Sequence, residues 1–454
     1  MKTIGFAELR RMVEKGAIDT VVAAFPDQQG RLVGKRYTGR TYVAVAHEGW
    51  EGCDYLLGCD LENEPLPGYR LFSWERGYGD FMIRPDHSTL AVVPWLDKTA
   101  LVLGDVEAKD HTPLAIAPRQ VLQAQVERAA QLGLTVRVAS ELEFYVFNDT
   151  YEQAFDKGFR GLEPVGRYIQ DYHILQTTKE EPLMQALRRH MDALGLEVEN
   201  SKGEWGPGQE ELNLAHQEPV LMADHHVIFK HGVKEVAALM GKSVTFMAKW
   251  NTGLAGSSFH VHSSLWDKNT GEPVGYDKAG PAHMSQRLQQ WVAGQLTCGR
   301  DFSVFYAPYV NSYRRYMAGT FAPTRLVAGV DNRTCGLRLL GHSPTAVRVE
   351  NRCPGADANP YLAFAATIAA GIYGITHGLT FEGIYTGDAY NDPKVPEVPK
   401  SLYEATRWLE ESTIAREAFG DVVVDHYVNT ARQEQMVYDR RVTEVDLLRN
   451  FERA

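Results

Sequence analysis

The stretch VRVENRCPGADANP, residues 347–360, constrains this chain more than any other. It sets Arg348, Glu350 and Arg352 at alternate positions, with Val347 and Val349 between them. Alternate residues of a strand share a face. One face is therefore apolar, and the other carries a carboxylate between two guanidiniums. Charges on a buried strand are costly unless something pairs them. The strand then breaks into a Gly/Asp/Asn/Pro turn. SELEFYVF (140–147) and GSSFHVH (256–262) repeat the arrangement, so three such strands have something to hold between them.

Glu141 and Glu143 share one strand face, opposite Leu142 and Phe144. Two same-face carboxylates repel unless a cation lies between them; a solvated strand face is the plainer account. SKGEWGPGQEELN sets Glu204 and Glu211 on either side of a Gly/Pro/Gly turn that can fold both toward one point. Taken alone it is a polar loop, and pattern does not choose between Glu210 and Glu211. His260 and His262 share a face, and such a pair can bind metal. The neighbouring candidates are carboxylates rather than thiols, which favours magnesium or manganese over zinc. Arg314, Arg315, Arg333, Arg338, Arg348 and Arg352 form a cationic set suited to phosphate and carboxylate recognition. Together these residues suit divalent metals bridging a polyphosphate. No GxxxxGK[ST] loop and no GxGxxG after a strand occurs, so a nucleotide site is of another type.

The remaining sequence narrows the class. A net charge of -11 argues against nucleic acid as a partner. The five cysteines are scattered, with no CxxC pair, which fits a reducing cytoplasm. MKTIGFAELRRMVEKG is expected to be an amphipathic helix rather than a signal peptide. Tyr361–Leu379 is uncharged and nearly long enough to span a bilayer. It is Ala/Gly-rich and follows a charged strand, so a buried helix and no membrane role are expected. The pattern further predicts a mostly β segment up to Trp95, including Ile18–Phe25 and the stretch Leu32–Tyr42. It predicts helices after Pro118, over Glu181–Leu194 and over 223–240, a strand over Thr135–Phe147, and irregular chain over 149–178.

These motifs, in this order, resemble the glutamine synthetase superfamily, and the match runs from about residue 18 to 450. The resemblance implies an α+β fold: a β-grasp domain (15–108) and a catalytic domain (109–454) whose curved, mostly antiparallel sheet forms a half barrel. It implies a homo-oligomer of two stacked hexameric rings, with each site between neighbouring subunits. By position, Glu143, Glu204 and Glu211 match ligands of a first metal, and Glu141, His260 and Glu350 those of a second. The ions would be Mg2+ or Mn2+, about two or three per site. His262, Ser264, Arg338 and Arg348 match ATP contacts, and Arg333 lies near the transferred group. Arg315 and Arg352 match groups that hold the glutamate carboxylates, Gly256 holds the amino group, and Glu143 and His260 border the same substrate. Asp80 matches the aspartate a neighbour supplies near the amine, and Tyr168 falls loosely beside it. Asp80, Arg333 and Glu204 are thus the candidate catalytic residues.

Three departures bear on the substrate. Members that use ammonium carry a glutamate just before an Ala-Pro; here GTFAPT puts Phe321 there. A phenyl ring accepts no proton but can pack against an alkyl or aryl group. Ala255 replaces an asparagine, and Thr345 a lysine. The expectation is a γ-glutamylamide synthetase joining L-glutamate to an organic amine with ATP, similar to the γ-glutamylpolyamine and γ-glutamylethanolamide branch. Phe321 and Trp205 favour a small or aromatic amine, while Glu210 keeps polyamines open. The alternatives are an ammonium enzyme in which Asp80 alone suffices, and a non-catalytic member, which the intact ligand set disfavours. Tyr390 lies near where some bacterial members are adenylylated, but its flanks differ and no such control is expected.

Overall fold

The structure is a computed structural model and describes residues 1–454. Two β-sheets organise it. The first holds β1 (Thr20–Pro26), β2 (Leu32–Thr38), β3 (Trp50–Cys53), β4 (Asp80–Val92) and β5 (Thr99–Glu107), in the order β2-β1-β5-β4-β3. β1 runs parallel to β5, and the other pairs are antiparallel. Central β1 and β5 are buried almost throughout, as strands covered on both faces are. Edge strand β2 exposes Gly34, Lys35 and Arg36, and charges on an edge deter stray pairing. The helix Phe6–Glu14 adds Leu9 to a core of 19 buried residues in this layer.

The second sheet holds β6 (Leu134–Phe147), β7 (Val198–Gly203), β8 (Gln209–Gln217), β9 (Ser243–Thr245), β10 (Phe259–Asp267), β11 (Ala328–Val330), β12 (Leu337–Leu340) and β13 (Arg348–Asn351). Its order is β11-β12-β13-β10-β6-β8-β7, with β9 on β6, and only β11–β12 is parallel. The expected α+β architecture with a mostly antiparallel catalytic sheet is the one observed. Helices Pro118–Gln131, Pro219–Leu239 and Pro360–Thr376 each begin on a proline, whose fixed φ and missing N–H suit the first turn. The last is buried nearly all round, and a Cβ at Gly371 would lie 2.0 Å from the Trp291 ring. The uncharged run is thus a core helix, and no helix is long and apolar enough to cross a membrane.

Two ties join the layers. Asn359 caps the Pro360 helix by accepting the Tyr361 N–H at 3.0 Å. Its amide also donates to the carbonyls of Asp27 (3.2 Å) and Gln28 (3.1 Å) in the β1–β2 turn. Buried Arg119 donates to Asp86 (2.6 Å) and Asp105 (2.7 Å) of the first sheet and to Asp224 (3.0 Å) under the second.

Local chemistry moved three expected boundaries. The helix expected at 223 begins at Pro219, where the proline sets its first turn. The stretch Leu32–Tyr42, expected within a mostly β segment, leaves the strand at Thr38, whose hydroxyl accepts the Thr41 N–H and starts the helix Gly39–Ala44. Within 149–178, Thr150 and Gln153 form a capping box on the short helix Tyr151–Asp156, and Ile174–Thr177 is a single turn.

Candidate active site

β13, β10 and β6 are neighbours, so the three charged stretches lie side by side. The register sets His260 opposite Glu141 and His262 opposite Glu350. On the other flank of β6, Glu143 faces Glu211 of β8. Glu204 comes from the turn that joins β7 to β8. That turn lies flat on β6: a Cβ at Gly206 would meet the Tyr145 hydroxyl at 1.8 Å, and Gly208 has φ +73°. Both positions require glycine.

Folding thus gathers two oxygen-rich donor sets. Ligand atoms of Glu143, Glu204 and Glu211 lie within 4.8 Å of one another, and so do those of Glu141, Glu143 and His260. Glu143 accepts the Ser258 N–H (2.7 Å), the Ser258 hydroxyl (2.6 Å) and the Gln209 amide (3.2 Å). Burial, and then the Glu204 charge, still push its pKa up to about 8. Burial and the charges of Glu141, Glu204 and Glu143 push Glu211 up to about 11. Burial also opposes the Glu141 charge, but His260 (2.7 Å) and His262 (3.0 Å) hold its carboxyl well below the usual range. Crowded, buried carboxylates that resist ionisation are what a hard divalent cation relieves. The donor set fits such an ion.

A cationic wall faces this cluster. Fully buried Glu350 receives Arg338 Nη1 at 2.9 Å and Arg352 Nη1 on its other oxygen. It lies 3.6 Å from His260 Nδ1, beside the second donor set but shared between two guanidiniums. Arg338 also donates to Asp331 at 2.9 Å, and half-exposed Arg333 stands 3.9 Å from the same aspartate. Arg348 Nε donates to His262 Nδ1 at 3.3 Å. An accepting Nδ1 leaves the ring proton on Nε2, which points it at Glu141. Ser264, two residues further along β10, accepts the Trp266 N–H at 2.9 Å.

Arg315 is buried, and its Nη2 donates to the carbonyls of Arg352 (2.9 Å), Cys353 (2.6 Å) and Pro354 (2.9 Å). It holds the turn after β13, and its buried Nε has no partner. Gly256 lies against it; a Cβ there would be 2.6 Å from Arg315 Cγ. Arg352 Nη2 donates to the Phe321 carbonyl at 3.1 Å. Phe321 has φ +60° and is 47% exposed, and its ring meets Trp205 edge-on at 5.6 Å. A left-handed phenylalanine costs about 1 kcal/mol or more and persists only where its surroundings enforce it.

Two expected residues lie outside this group. Asp80 is exposed at the start of β4, opposite Cys53 in the first sheet. Tyr168 is 65% exposed, with Lys179 over its ring at 5.9 Å. Three residues went unrecognised: Lys202, Ser258 and Asp331. Lys202 and Glu204 alternate just as Arg348 and Glu350 do, and Ser258 lies within GSSFHVH, so a signal existed for both.

Comparison with known proteins agrees with this geometry. Residues 115–450 match the glutamine synthetase catalytic domain. The chain is 47% identical over 451 residues to the gamma-glutamylethanolamide synthetase GlnA4 of Streptomyces coelicolor, covering 99% of this chain and 96% of that protein. It is 36% identical over 423 residues to a glutamate–isopropylamine ligase of a Pseudomonas species, covering 92% of each. A solved GmaS/ADP complex has the same fold, with a TM-score of 0.85 at 24% identity, over 98% of this chain and 99% of that one. By motif, sheet and sequence, the chain belongs to the glutamine synthetase family.

Proposed function

We propose that this protein is an ATP-dependent glutamate–amine ligase. It joins the γ-carboxylate of L-glutamate to a primary organic amine and releases ADP and phosphate. The carrying observation is Phe321: an apolar ring, paired with Trp205, stands where an ammonium-using site needs a carboxylate. The two relatives named above act on amines with short carbon chains, which supports the same reading.

The reaction has two steps. A γ-carboxylate oxygen attacks the γ-phosphorus of ATP, the bond to the ADP oxygen breaks, and γ-glutamyl phosphate forms. The deprotonated amine then attacks the acyl carbon, phosphate leaves with the bonding pair, and the nitrogen passes its surplus proton to the departing phosphate to give the neutral amide. Glu143, Glu204 and Glu211 would hold one Mg2+ or Mn2+, and Glu141, His260 and Glu350 a second. Bound there, the ions neutralise phosphate charge and orient the transferring group. Arg338, Arg348, His262 and Ser264 would line the phosphates, with Arg333 nearest the transferred group, where a fixed cation stabilises the transition state. Arg352 is poised between Glu350 and the Phe321 loop to meet a glutamate carboxylate, with Arg315 and Gly256 shaping the same wall. The amine must lose a proton before it attacks, and Glu204 and a neighbour's Asp80 are the candidate acceptors. Tyr168 is a looser candidate at the same entrance.

A ring assembly, with Asp80 serving the next subunit, accords with its exposure in the first sheet. The apolar residues Phe155, Phe159, Ile169 and Ile174 are exposed and would be available as contact surface in such a ring. Two buried clusters accord with a division near 109 into a β-grasp domain (15–108) and a catalytic domain (109–454), although Ala91, Val93, Leu101 and Leu103 of the first sheet pack in the larger cluster and Ile116 and Ala117 in the smaller. Five free cysteines accord with a reducing compartment such as the cytoplasm.

The test is ADP release with glutamate and, in turn, ammonium, ethanolamine, isopropylamine, putrescine and spermidine. A small organic amine is expected to give the highest kcat/KM. Ammonium in first place would overturn the assignment.

A further inference from the structure

Lys202 sits within the carboxylate cluster. It lies opposite Glu211 across the β7–β8 pair, and its ammonium bonds Glu204 Oε1. It also reaches Asp171 at 3.3 Å and stands 4.3 Å over the Tyr172 ring. Only 19% of the side chain is exposed. Burial opposes its charge, but Glu204 and Glu211 outweigh that and hold it protonated. The other Glu204 oxygen accepts the Trp205 N–H at 3.2 Å. Both oxygens of this carboxylate are thus engaged by the chain itself. A cation seated among Glu143, Glu204 and Glu211 has to take a share of Glu204 from the lysine. Asp171 and the Tyr172 face offer the displaced ammonium a second berth, one ionic and one cation–π.

We propose that Lys202 is a tethered counter-ion that competes with the divalent cation for Glu204 and withdraws onto Asp171 and Tyr172 when the ion binds. Lys202 keeps the crowded carboxylates compatible with folding before metal arrives and loosens the hold on the metal afterwards. It is a positioning residue, acting through Glu204. The inference rests on the metal-site reading above.

The test is titration calorimetry of Mg2+ into metal-stripped protein at fixed ionic strength, which requires no turnover. Lys202→Met is expected to bind Mg2+ about tenfold more tightly. Asp171→Asn, which removes the second berth, is expected to bind about threefold more weakly. In the Lys202→Met background the same Asp171→Asn change is expected to shift affinity by less than about twofold, since it acts through the lysine. Weaker binding by Lys202→Met would overturn the proposal, because the lysine would then merely orient Glu204. An undiminished Asp171→Asn effect in the double variant would also overturn it, in favour of long-range charge. Wild type that binds no Mg2+ would instead remove the metal site itself. Melting of the stripped proteins gives a second reading: Lys202→Met is expected to melt below wild type without metal, and no difference would count against the counter-ion role. Lys202→Gln serves the same comparisons if the methionine variant does not fold.

Discussion

Glu211→Gln should reverse its effect on stability when metal is added. Glu211 has Glu143 and Glu204 on either side, with ligand atoms no more than 4.8 Å apart. At an effective dielectric constant of about 20, each full like-charge pair at that distance costs about 3 kcal/mol. Lys202 offsets part of the Glu204 charge, and proton uptake by the crowded carboxyls relieves more. A net relief of about 1–2 kcal/mol in the metal-free protein is therefore expected from the isosteric amide. Its N–H groups can also donate to Glu143. With Mg2+ at about 100 times its Kd, the wild type gains about 2.7 kcal/mol, and the variant, short of one ligand, forfeits most of this. Differential scanning calorimetry of stripped and Mg2+-saturated protein checks both arms. The variant should melt higher without metal and lower with it. If stripped Glu211→Gln melts below wild type and Mg2+ raises both Tm values equally, the cluster is neither self-repelling nor a cation site, and the reasoning fails.

Phe321→Glu puts a carboxylate at the proposed amine entrance, and the ratio of kcat/KM for ammonium to that for ethanolamine should rise by about tenfold or more, read from ADP release. Arg119→Met strips the common partner from Asp86, Asp105 and fully buried Asp224, and should cost about 3–5 kcal/mol in denaturant unfolding. His426 is buried against Gln28, and burial lowers its pKa to about 3, against 6.5 when exposed. The unfolded chain therefore takes up a proton that the folded one refuses, and stability falls as pH drops from 6.5 toward 3. In His426→Gln that acid slope should shrink by up to about 1.4 kcal/mol per pH unit, as measured by urea unfolding across the window.

The clustered donor residues were legible because alternation is a local property. Glu141, Glu143, His260 and Glu350 share a strand face with their own neighbours, so a period of two suffices to find them. The same rule resolves the choice that pattern left open at GQEE. Glu211 faces the cluster, so Glu210 must face away, and it does, accepting the Gln170 amide at 3.0 Å. Register is not local: alternation sets Lys202 beside Glu204 on one face, but its place opposite Glu211 depends on which β8 residue it meets. Arg315 exposes another limit, since a guanidinium in the sequence does not reveal how many of its donors the backbone will claim. Tyr168 sits in a segment without periodicity, where alignment had nothing to hold.

The tie at Asn359 also bears on how the protein is made. The Asp27 carbonyl accepts the Gly30 N–H at 2.9 Å within the β1–β2 turn, but the Gln28 carbonyl finds its donor only at Asn359, 331 residues later. The Gln28 side-chain oxygen waits longer still, for His426 and Thr430, 398 and 402 residues on, while its amide donates nearby to the Cys59 carbonyl at 2.6 Å. During synthesis the N-terminal sheet therefore emerges with both Gln28 oxygens unpaired and a face uncovered until the chain past residue 430 has been made. A nascent chain arrested before residue 359 should remain protease-sensitive at that turn, however well its strands have paired.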